Sequence, residues 1–228
     1  MTLDTSCRGT WQDGHMSISA DSIMFDLWSA SYDRPGLQQT TYRPVHDAIL
    51  ERISGLDPAV VVDLGCGTGQ LTRRLVDAFP SATIVGADLS AGMLERALAA
   101  ETDAGQPLVA NYTRANAERL PLAEASADIV VCTESFHWYD DQPAALAGLH
   151  RIIRPGGRLL IASVAALTGL GEDALRQTSS LAGRPIRAVP KRKMKRMIED
   201  AGFEVTDQGR ILRLGFVPWP VLTEAVRH

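Results

Sequence analysis

Short apolar runs alternate with amphipathic segments from residue 59 to near the end of the chain. The apolar runs, typical of buried strands, lie near residues 59–64, 82–88, 108–114, 127–133 and 157–164. The segments with helical periodicity lie near residues 70–79, 90–101, 142–153 and 190–201. Because strands that alternate with helices form parallel sheets covered on both faces, this pattern predicts a doubly wound α/β fold.

The end of the chain departs from this alternation. The segments Phe203–Asp207 and Arg210–Leu214 both favour a strand, and they are separated only by Gln208 and Gly209. A short glycine-containing connection of this kind is typical of a β-hairpin. The pattern therefore predicts a hairpin that turns at these two residues.

The first fifty residues divide into two parts. Residues 1–20 are polar and have no period, so we expect a mobile tail before a single domain over 21–228. Residues 21–50 carry several aromatic side chains and then a helical pattern through Val45, Ile49 and Leu50. We expect this segment to be a lid over a ligand cleft, the alternative being that its aromatic residues seal a second hydrophobic cluster.

A glycine-rich loop joins the first strand to the helix that follows it. Three glycines alternate with single residues over 65–69, which allows a sharp turn and a close approach of a ligand to the main chain. Asp63, just before the loop, would repel the pyrophosphate of a dinucleotide but suits an ammonium group. S-adenosylmethionine has that ammonium and no phosphate. Asp88 ends the second strand at the spacing of an acid that binds a ribose, which both cofactor classes contain.

Five blocks of sequence resemble the class I S-adenosylmethionine-dependent methyltransferases, in the small-molecule branch that includes the quinone-biosynthesis methyltransferases. In chain order the blocks are 63–69, 86–90, 116–122, 127–133 and 149–159. One glycine loop is weak evidence, whereas five blocks in this order and spacing are strong. The resemblance runs from about Tyr32 to Phe203 and implies a mostly parallel, seven-stranded, Rossmann-like sheet whose last strand is antiparallel.

The resemblance also implies the cofactor, S-adenosylmethionine, and the residues that bind it. The loop glycines would contact the methionine moiety, Asp88 the ribose and Asn116 the adenine. Asn116 stands where the family usually has Asp, but its carbonyl oxygen still accepts a hydrogen bond from the adenine amino group. The cofactor-binding residues expected in this way are Tyr32, Asp63, Gly65, Cys66, Gly67, Gly69, Asp88, Leu89, Met93, Asn116, Ala117 and Thr133.

The loop after the fourth strand, residues 133–141, should face the methyl acceptor, because ligands bind at the carboxyl ends of strands in open α/β sheets. It lacks the Asn-Pro-Pro-aromatic and Pro-Cys signatures of nucleic-acid methyltransferases, so DNA methylation is not expected. His137 is the histidine expected to act as general base for a hydroxyl acceptor. The alternative is a histidine that only shapes the cleft, since an amine or an activated carbon could react without a base.

Charge and composition narrow the other classes of partner. The formal net charge of -4 gives no general attraction to nucleic acid or to an anionic membrane. No apolar run approaches the roughly 20 residues that span a bilayer, so we expect a cytoplasmic protein. The three cysteines lack metal-ligand spacing, and no metal site is expected.

One dense basic run, residues 190–198, could contact RNA, an acyl-carrier protein or an anionic substrate. Within and just after it, however, Met194, Met197, Ile198 and Ala201 recur at helical spacing. We therefore favour an ordinary amphipathic helix whose cations lie on the solvated face.

The function expected from these residues is methyl transfer from S-adenosylmethionine to a small, partly hydrophobic metabolite, with oxygen as the favoured acceptor atom. The alternatives are a nicotinamide-dependent oxidoreductase, which Asp63 and the glycine spacing disfavour, and a non-catalytic scaffold that binds the cofactor. The identity of the acceptor and the oligomeric state stay open at this point.

Overall fold

The computed structural model describes residues 42–103, 110–165, 177, 186–211 and 220–228. The predicted tail, most of the predicted lid and Tyr32 lie outside these residues. Where the lid segment enters the described part, it forms α1, Arg43–Ile53, as the helical pattern predicted.

Helices and strands then alternate as expected. In chain order they are β1 Val60–Leu64, α2 Gln70–Ala78, β2 Thr83–Asp88, α3 Ala91–Asp103, β3 Asn111–Arg114, β4 Ala127–Thr133, α4 Gln142–Ile152, β5 Ile153–Val164, α5 Lys191–Asp200, β6 Phe203–Arg210 and β7 Pro220–Arg227. Two single-turn 3₁₀ helices, Ala117–Arg119 and Phe136–Trp138, follow β3 and β4. The largest shift in a described boundary is at β5, which begins at Ile153 where the pattern predicted 157.

The strands form one seven-stranded sheet in the order β3-β2-β1-β4-β5-β7-β6. All described pairings from β3 to β5 are parallel, whereas β7 is antiparallel to both β5 and β6. The predicted seven-stranded, mostly parallel sheet with an antiparallel last strand is therefore confirmed. Because β1 lies between β2 and β4, the chain winds outward in both directions from the β1/β4 boundary, where α/β folds form ligand crevices.

Both faces of the sheet are buried, as a doubly wound fold requires. On one face α1 and α2 pack Ile49 and Leu75 into a cluster with Val61 of β1. On the other face α4 and α5 pack Leu149 and Ile198 into a cluster with Val62. Neighbouring residues of a strand point to opposite faces of the sheet, so Val61 and Val62 pack into different hydrophobic clusters.

The predicted hairpin at Gln208 and Gly209 is wrong. Both residues lie inside β6, paired with Thr223 and Leu222 of β7. The Gln208 amide donates hydrogen bonds to the Thr223 hydroxyl at 3.0 Å and to the Lys191 carbonyl at 3.0 Å, which holds it in the strand. The returning strand is instead the buried β7, so tertiary burial overrides the local preference of a glycine-containing dipeptide for a turn.

Among the described residues, no helix is both long and apolar enough to cross a membrane. The same residues contain no group of three histidine, cysteine or acidic side chains that could hold a metal ion.

Candidate active site at the carboxyl ends of the parallel strands

Asp63 lies near the carboxyl end of β1 and is fully buried. Its Oδ2 atom accepts a hydrogen bond from the Thr72 hydroxyl at 2.6 Å, while its Oδ1 atom is buried and has no partner. Burial raises the pKa of the Asp63 carboxyl to about 7, against the opposing effect of the Thr72 hydrogen bond. A buried carboxylate oxygen without a donor is costly, and a ligand ammonium would satisfy it.

The glycine loop turns through left-handed backbone at all three glycines, with φ of +72° at Gly65, +54° at Gly67 and +74° at Gly69. The loop begins as Gly65 and Cys66 both donate backbone hydrogen bonds to the carbonyl of Ala87, at 2.7 and 3.1 Å. It ends where Gly69 precedes the first residue of α2. These φ values explain the glycines, because other residues adopt them at a cost.

Two of these glycines are also required by the protein's own packing. A Cβ atom at Gly65 would lie 2.3 Å from the Ser135 hydroxyl, and one at Gly69 would lie 2.5 Å from the Tyr112 hydroxyl. The Ser135 hydroxyl donates to the Leu64 carbonyl at 3.1 Å and contacts the Tyr139 hydroxyl at 3.1 Å. Close approach of a ligand is the reason for the glycines that the sequence predicts, and contact with the loop after β4 is an additional reason at Gly65.

Asp88 ends β2 and holds the glycine loop in place. Its Oδ2 atom accepts a hydrogen bond from the backbone N–H of Gly67 at 2.9 Å, and its Oδ1 atom accepts one from the N–H of Ser90 at 2.9 Å. The two hydrogen bonds fix the orientation of the carboxylate. Asp88 is only partly buried, so a ligand hydroxyl can reach it.

The remaining predicted cofactor residues follow β2 and β3. Met93 is buried, and its N–H binds the Ser90 hydroxyl at 3.1 Å, while the carbonyl of Leu89 accepts from the Arg114 guanidinium at 3.0 Å. Asn116 caps the following 3₁₀ helix, as its side-chain oxygen accepts from the N–H of Glu118 at 2.8 Å. The oxygen expected to meet adenine therefore already has one donor, and Ala117 beside it is buried.

A cleft of about 300 Å³, part of it open solvent, lies beside the glycine loop. It is lined by Tyr42, His46, Gly65, Cys66, Thr68, Gln70, Leu71 and Thr133. The structure thus brings three predicted cofactor residues, Gly65, Cys66 and Thr133, together around one space. Asp88, Met93 and Asn116 follow the neighbouring strands and do not line this cleft.

His46 is a cleft residue that the sequence analysis did not select. It is buried on α1, and burial lowers its pKa to about 4, with a further contribution from the charge of Arg74. The imidazole is therefore neutral at neutral pH. Its position three residues before the buried Ile49 places it on the inner face of α1, which the helical pattern could have revealed.

Glu134 was also not selected, although it directly follows Thr133. Its backbone is left-handed, with φ of +52°, and its N–H donates to the Ala162 carbonyl of β5 at 2.8 Å. Its Oε1 atom is buried without a partner, and burial raises the pKa of the carboxyl to about 8. An acidic residue shortly after the apolar run 129–132 of β4 is the only signal in the sequence.

His137 lies in the 3₁₀ helix that follows β4 and is buried. Its Nδ1 atom is 3.1 Å from the Ser163 hydroxyl of β5, and its ring lies 5.1 Å from that of Trp138. Its carbonyl accepts a backbone hydrogen bond from Arg187 at 2.8 Å. His137 is thus on the expected loop, held toward β5, and is not among the residues that line the cleft.

Comparison with known proteins identifies the family. Residues 62–161, which carry the glycine loop, Asp88 and the loop after β4, match the methyltransferase-domain family. The chain is 33% identical over 163 residues to the O-methyltransferase rstn1 of Aspergillus nomiae, a match that covers 68% of this chain and 70% of that protein. The chain belongs to the methyltransferase-domain family. S-adenosylmethionine is accordingly confirmed as the cofactor predicted from the sequence, and the oxidoreductase alternative is not favoured.

Other relatives of this methyltransferase match a smaller share of their own length. It is 40% identical over 167 residues to the malonyl-[acyl-carrier protein] O-methyltransferase of Hahella chejuensis, which covers 73% of this chain and 57% of that protein. A namesake from a Methylovorus strain is 33% identical, with 67% and 50% covered. The chain therefore spans about half the length of these curated relatives.

Solved structures show the same fold at low sequence identity. A methyltransferase from Haloferax volcanii, in complex with the Trm112 activator, superposes with a TM-score of 0.73 at 22% identity, over 90% of this chain and 98% of that one. Geranyl diphosphate methyltransferase, in complex with GPP and sinefungin, gives a TM-score of 0.68 at 18% identity, over 81% and 78%.

Proposed function

We propose that this protein transfers a methyl group from S-adenosylmethionine to an oxygen atom of a small, partly hydrophobic acceptor. The observation that carries the proposal is the buried, unpartnered Oδ1 atom of Asp63 beside the left-handed glycine loop. This oxygen suits a ligand that has an ammonium group and would repel a phosphate. The O-methyltransferase names of the relatives support oxygen as the acceptor atom.

The described residues fit the cofactor along three neighbouring strands. Asp63 of β1 would bind the ammonium, Asp88 of β2 the ribose hydroxyls, and Asn116 with Ala117 after β3 the adenine. Gly65, Cys66, Gly67, Gly69, Leu89, Met93 and Thr133 would form the walls around it. When bound, the cofactor supplies a methyl group on a sulfonium, which is already activated, so the protein's main tasks are alignment and exclusion of water.

The order of the strands indicates where the acceptor binds. Apart from Thr133 at the end of β4, the residues proposed for the cofactor lie on or after β1, β2 and β3, which are consecutive neighbours at one side of the sheet. The loop after β4, on the other side of β1, is left for the acceptor, and His137 belongs to that loop. We also propose that residues 21–50, including Tyr32, act as the lid that closes over both ligands.

The proposed acceptor is an acid or an alcohol. The malonyl-[acyl-carrier protein] enzymes act, by their names, on an acyl group carried by a protein. The corresponding acceptor here would be a carboxylate or hydroxyl on a small or protein-carried acyl or aromatic compound.

Two measurements test this proposal. Calorimetry should show binding of S-adenosylhomocysteine but not of NADH, and Asp63→Asn should weaken it because the charge opposite the ammonium is lost. Labelled S-adenosylmethionine is then offered with malonyl-acyl-carrier protein, phenols, hydroxy acids and amines. Label in an oxygen-methylated product supports the proposal. Label only in amines would contradict oxygen as the acceptor atom. Binding of NADH without binding of S-adenosylhomocysteine would overturn the cofactor assignment. Binding of S-adenosylhomocysteine without methyl transfer to any acceptor would indicate a non-catalytic scaffold.

A further inference from the structure

Glu134 combines three features that normal packing would avoid. The described residues include only two non-glycine positions with positive φ, Ala125 and Glu134. Ala125 is exposed in a turn before β4, where the strain has a simple structural use. Glu134 lies instead at the end of β4, with one carboxyl oxygen buried and without a partner. Backbone strain at a ligand crevice, added to an unsatisfied carboxyl, is typical of a functional residue.

The place of Glu134 in the sheet relates it to the acceptor. It follows Thr133, which lines the cleft, and precedes Ser135, which contacts Gly65, although Glu134 itself is not among the lining residues. The ammonium, the ribose and the adenine of the cofactor have residues assigned on β1, β2 and after β3. The acceptor has no group assigned on those strands, and β4 is the strand on the other side of β1.

The chemistry of the carboxyl agrees with this position. Burial alone raises the pKa of Glu134 to about 8, near the pH at which enzymes work. A general base is most efficient when its pKa lies near the operating pH. The residue as a whole is only partly buried. By contrast, the Nδ1 atom of His137 is engaged with Ser163.

We propose that Glu134 is the general base for a hydroxyl acceptor, an inference that rests on the proposed O-methylation. The carboxylate accepts a hydrogen bond from the acceptor hydroxyl and takes its proton. The oxygen's electron pair forms the bond to the methyl carbon, and the electron pair of the broken carbon–sulfur bond returns to the sulfur as the neutral thioether. His137 then supports the loop through Ser163.

The test compares Glu134→Gln with His137→Gln and with Glu124→Gln, an exposed carboxyl near the amino end of β4. Glutamine keeps the shape of Glu134 but does not take the proton. With the phenols and hydroxy acids of the panel, Glu134→Gln should lower kcat by about 10²-fold or more. His137→Gln should lose less than about tenfold, and Glu124→Gln should be unchanged. With malonyl-acyl-carrier protein, whose free carboxylate is already deprotonated, Glu134→Gln should keep most of its turnover.

Two further readouts do not depend on turnover. The Kd of Glu134→Gln for S-adenosylhomocysteine should stay within about threefold of wild type, and its Tm should not fall, because a buried unpartnered acid is replaced by a neutral group. Full turnover of a hydroxyl acceptor by Glu134→Gln, or a larger loss in His137→Gln, overturns the role of Glu134 alone. If the wild-type protein methylates no hydroxyl, both this role and methylation of hydroxyls are overturned. A loss of cofactor affinity in Glu134→Gln would place Glu134 on the cofactor side and overturn its role as base.

Discussion

Two carboxyl groups, one at the end of β2 and one just after β4, differ in how their oxygens are hydrogen-bonded. Asp88, after β2, accepts backbone hydrogen bonds with both oxygens and holds the glycine loop and the start of α3. Glu134, after β4, has a buried oxygen without a partner on a strained backbone. The carboxylate proposed for the ribose is therefore held in place before a ligand arrives, whereas Glu134, like Asp63, keeps a buried oxygen without a partner.

The difference indicates that the two carboxyls relate differently to stability. Asp88, which is proposed to bind the ribose, also holds the glycine loop, so its substitution should affect both binding and stability. Glu134, proposed for the acceptor, keeps one carboxyl oxygen buried without a partner, so its replacement should lower turnover without lowering stability at neutral pH.

The largest effect is expected from a substitution where the glycine loop contacts the loop after β4. In Gly65→Ala the new methyl group would overlap Ser135 and force both loops apart, with an expected loss of more than about 3 kcal/mol in the free energy of unfolding. Gly55→Ala is the matched control, because Gly55 has a similar φ of +78° and nothing within 4 Å of an added Cβ. It should lose only about 1 kcal/mol, the cost of the left-handed backbone. Chemical denaturation measures both, and equal losses would show that the contact with Ser135 is unimportant.

A smaller effect is expected when Asp88 is removed. Asp88→Ala should weaken S-adenosylhomocysteine binding by about 1.5 to 3 kcal/mol, through the lost ribose acceptor and the loosened Gly67 N–H. The protein should still fold. Asp88→Asn, which keeps one oxygen for a backbone donor, should lose less in calorimetry. An unchanged Kd in folded Asp88→Ala would mean that Asp88 does not face the ribose.

The smallest effect should appear in the pH dependence of stability without ligand. Between pH 6.5 and 8, folded Asp63 and Glu134 release protons that the unfolded chain has already released, because burial raises the pKa values of these carboxyls to about 7 and about 8. The folded state binds more protons in this window, so stability should fall by about 1 to 2 kcal/mol as pH rises through it. Asp63→Asn and Glu134→Gln should each flatten the fall in urea denaturation, and parallel curves for wild type and variants would contradict these shifts.

Much of the fold could be read from the sequence because the relevant signals are periodic or contiguous. Buried parallel strands contain contiguous apolar runs, such as residues 129–132 of β4, and Asp63, the loop glycines and Asp88 occupy short motifs. The strand β7 could not be located in this way. Its burial depends on its position between β5 and β6, which the local sequence does not indicate.

The same limit applies to the site. Residue type alone predicts His137 as a base, and the structure adds that its Nδ1 atom lies 3.1 Å from the Ser163 hydroxyl. The features that distinguish Glu134 and His46 are burial, the orientation of the backbone and proximity to the cleft. These properties arise only when distant strands and α1 come together, so an inspection of residue types does not reveal them.

The contact between Gly65 and Ser135 has a consequence for kinetics. The loop that would hold the donor and the loop that would hold the acceptor meet without room for a single methyl group. A displacement of one loop therefore displaces the other, and binding of the two ligands becomes thermodynamically linked. The factor by which the acceptor changes the affinity for the donor equals the factor by which the donor changes the affinity for the acceptor. Such an enzyme should work through a ternary complex in which the first ligand to arrive sets the affinity for the second.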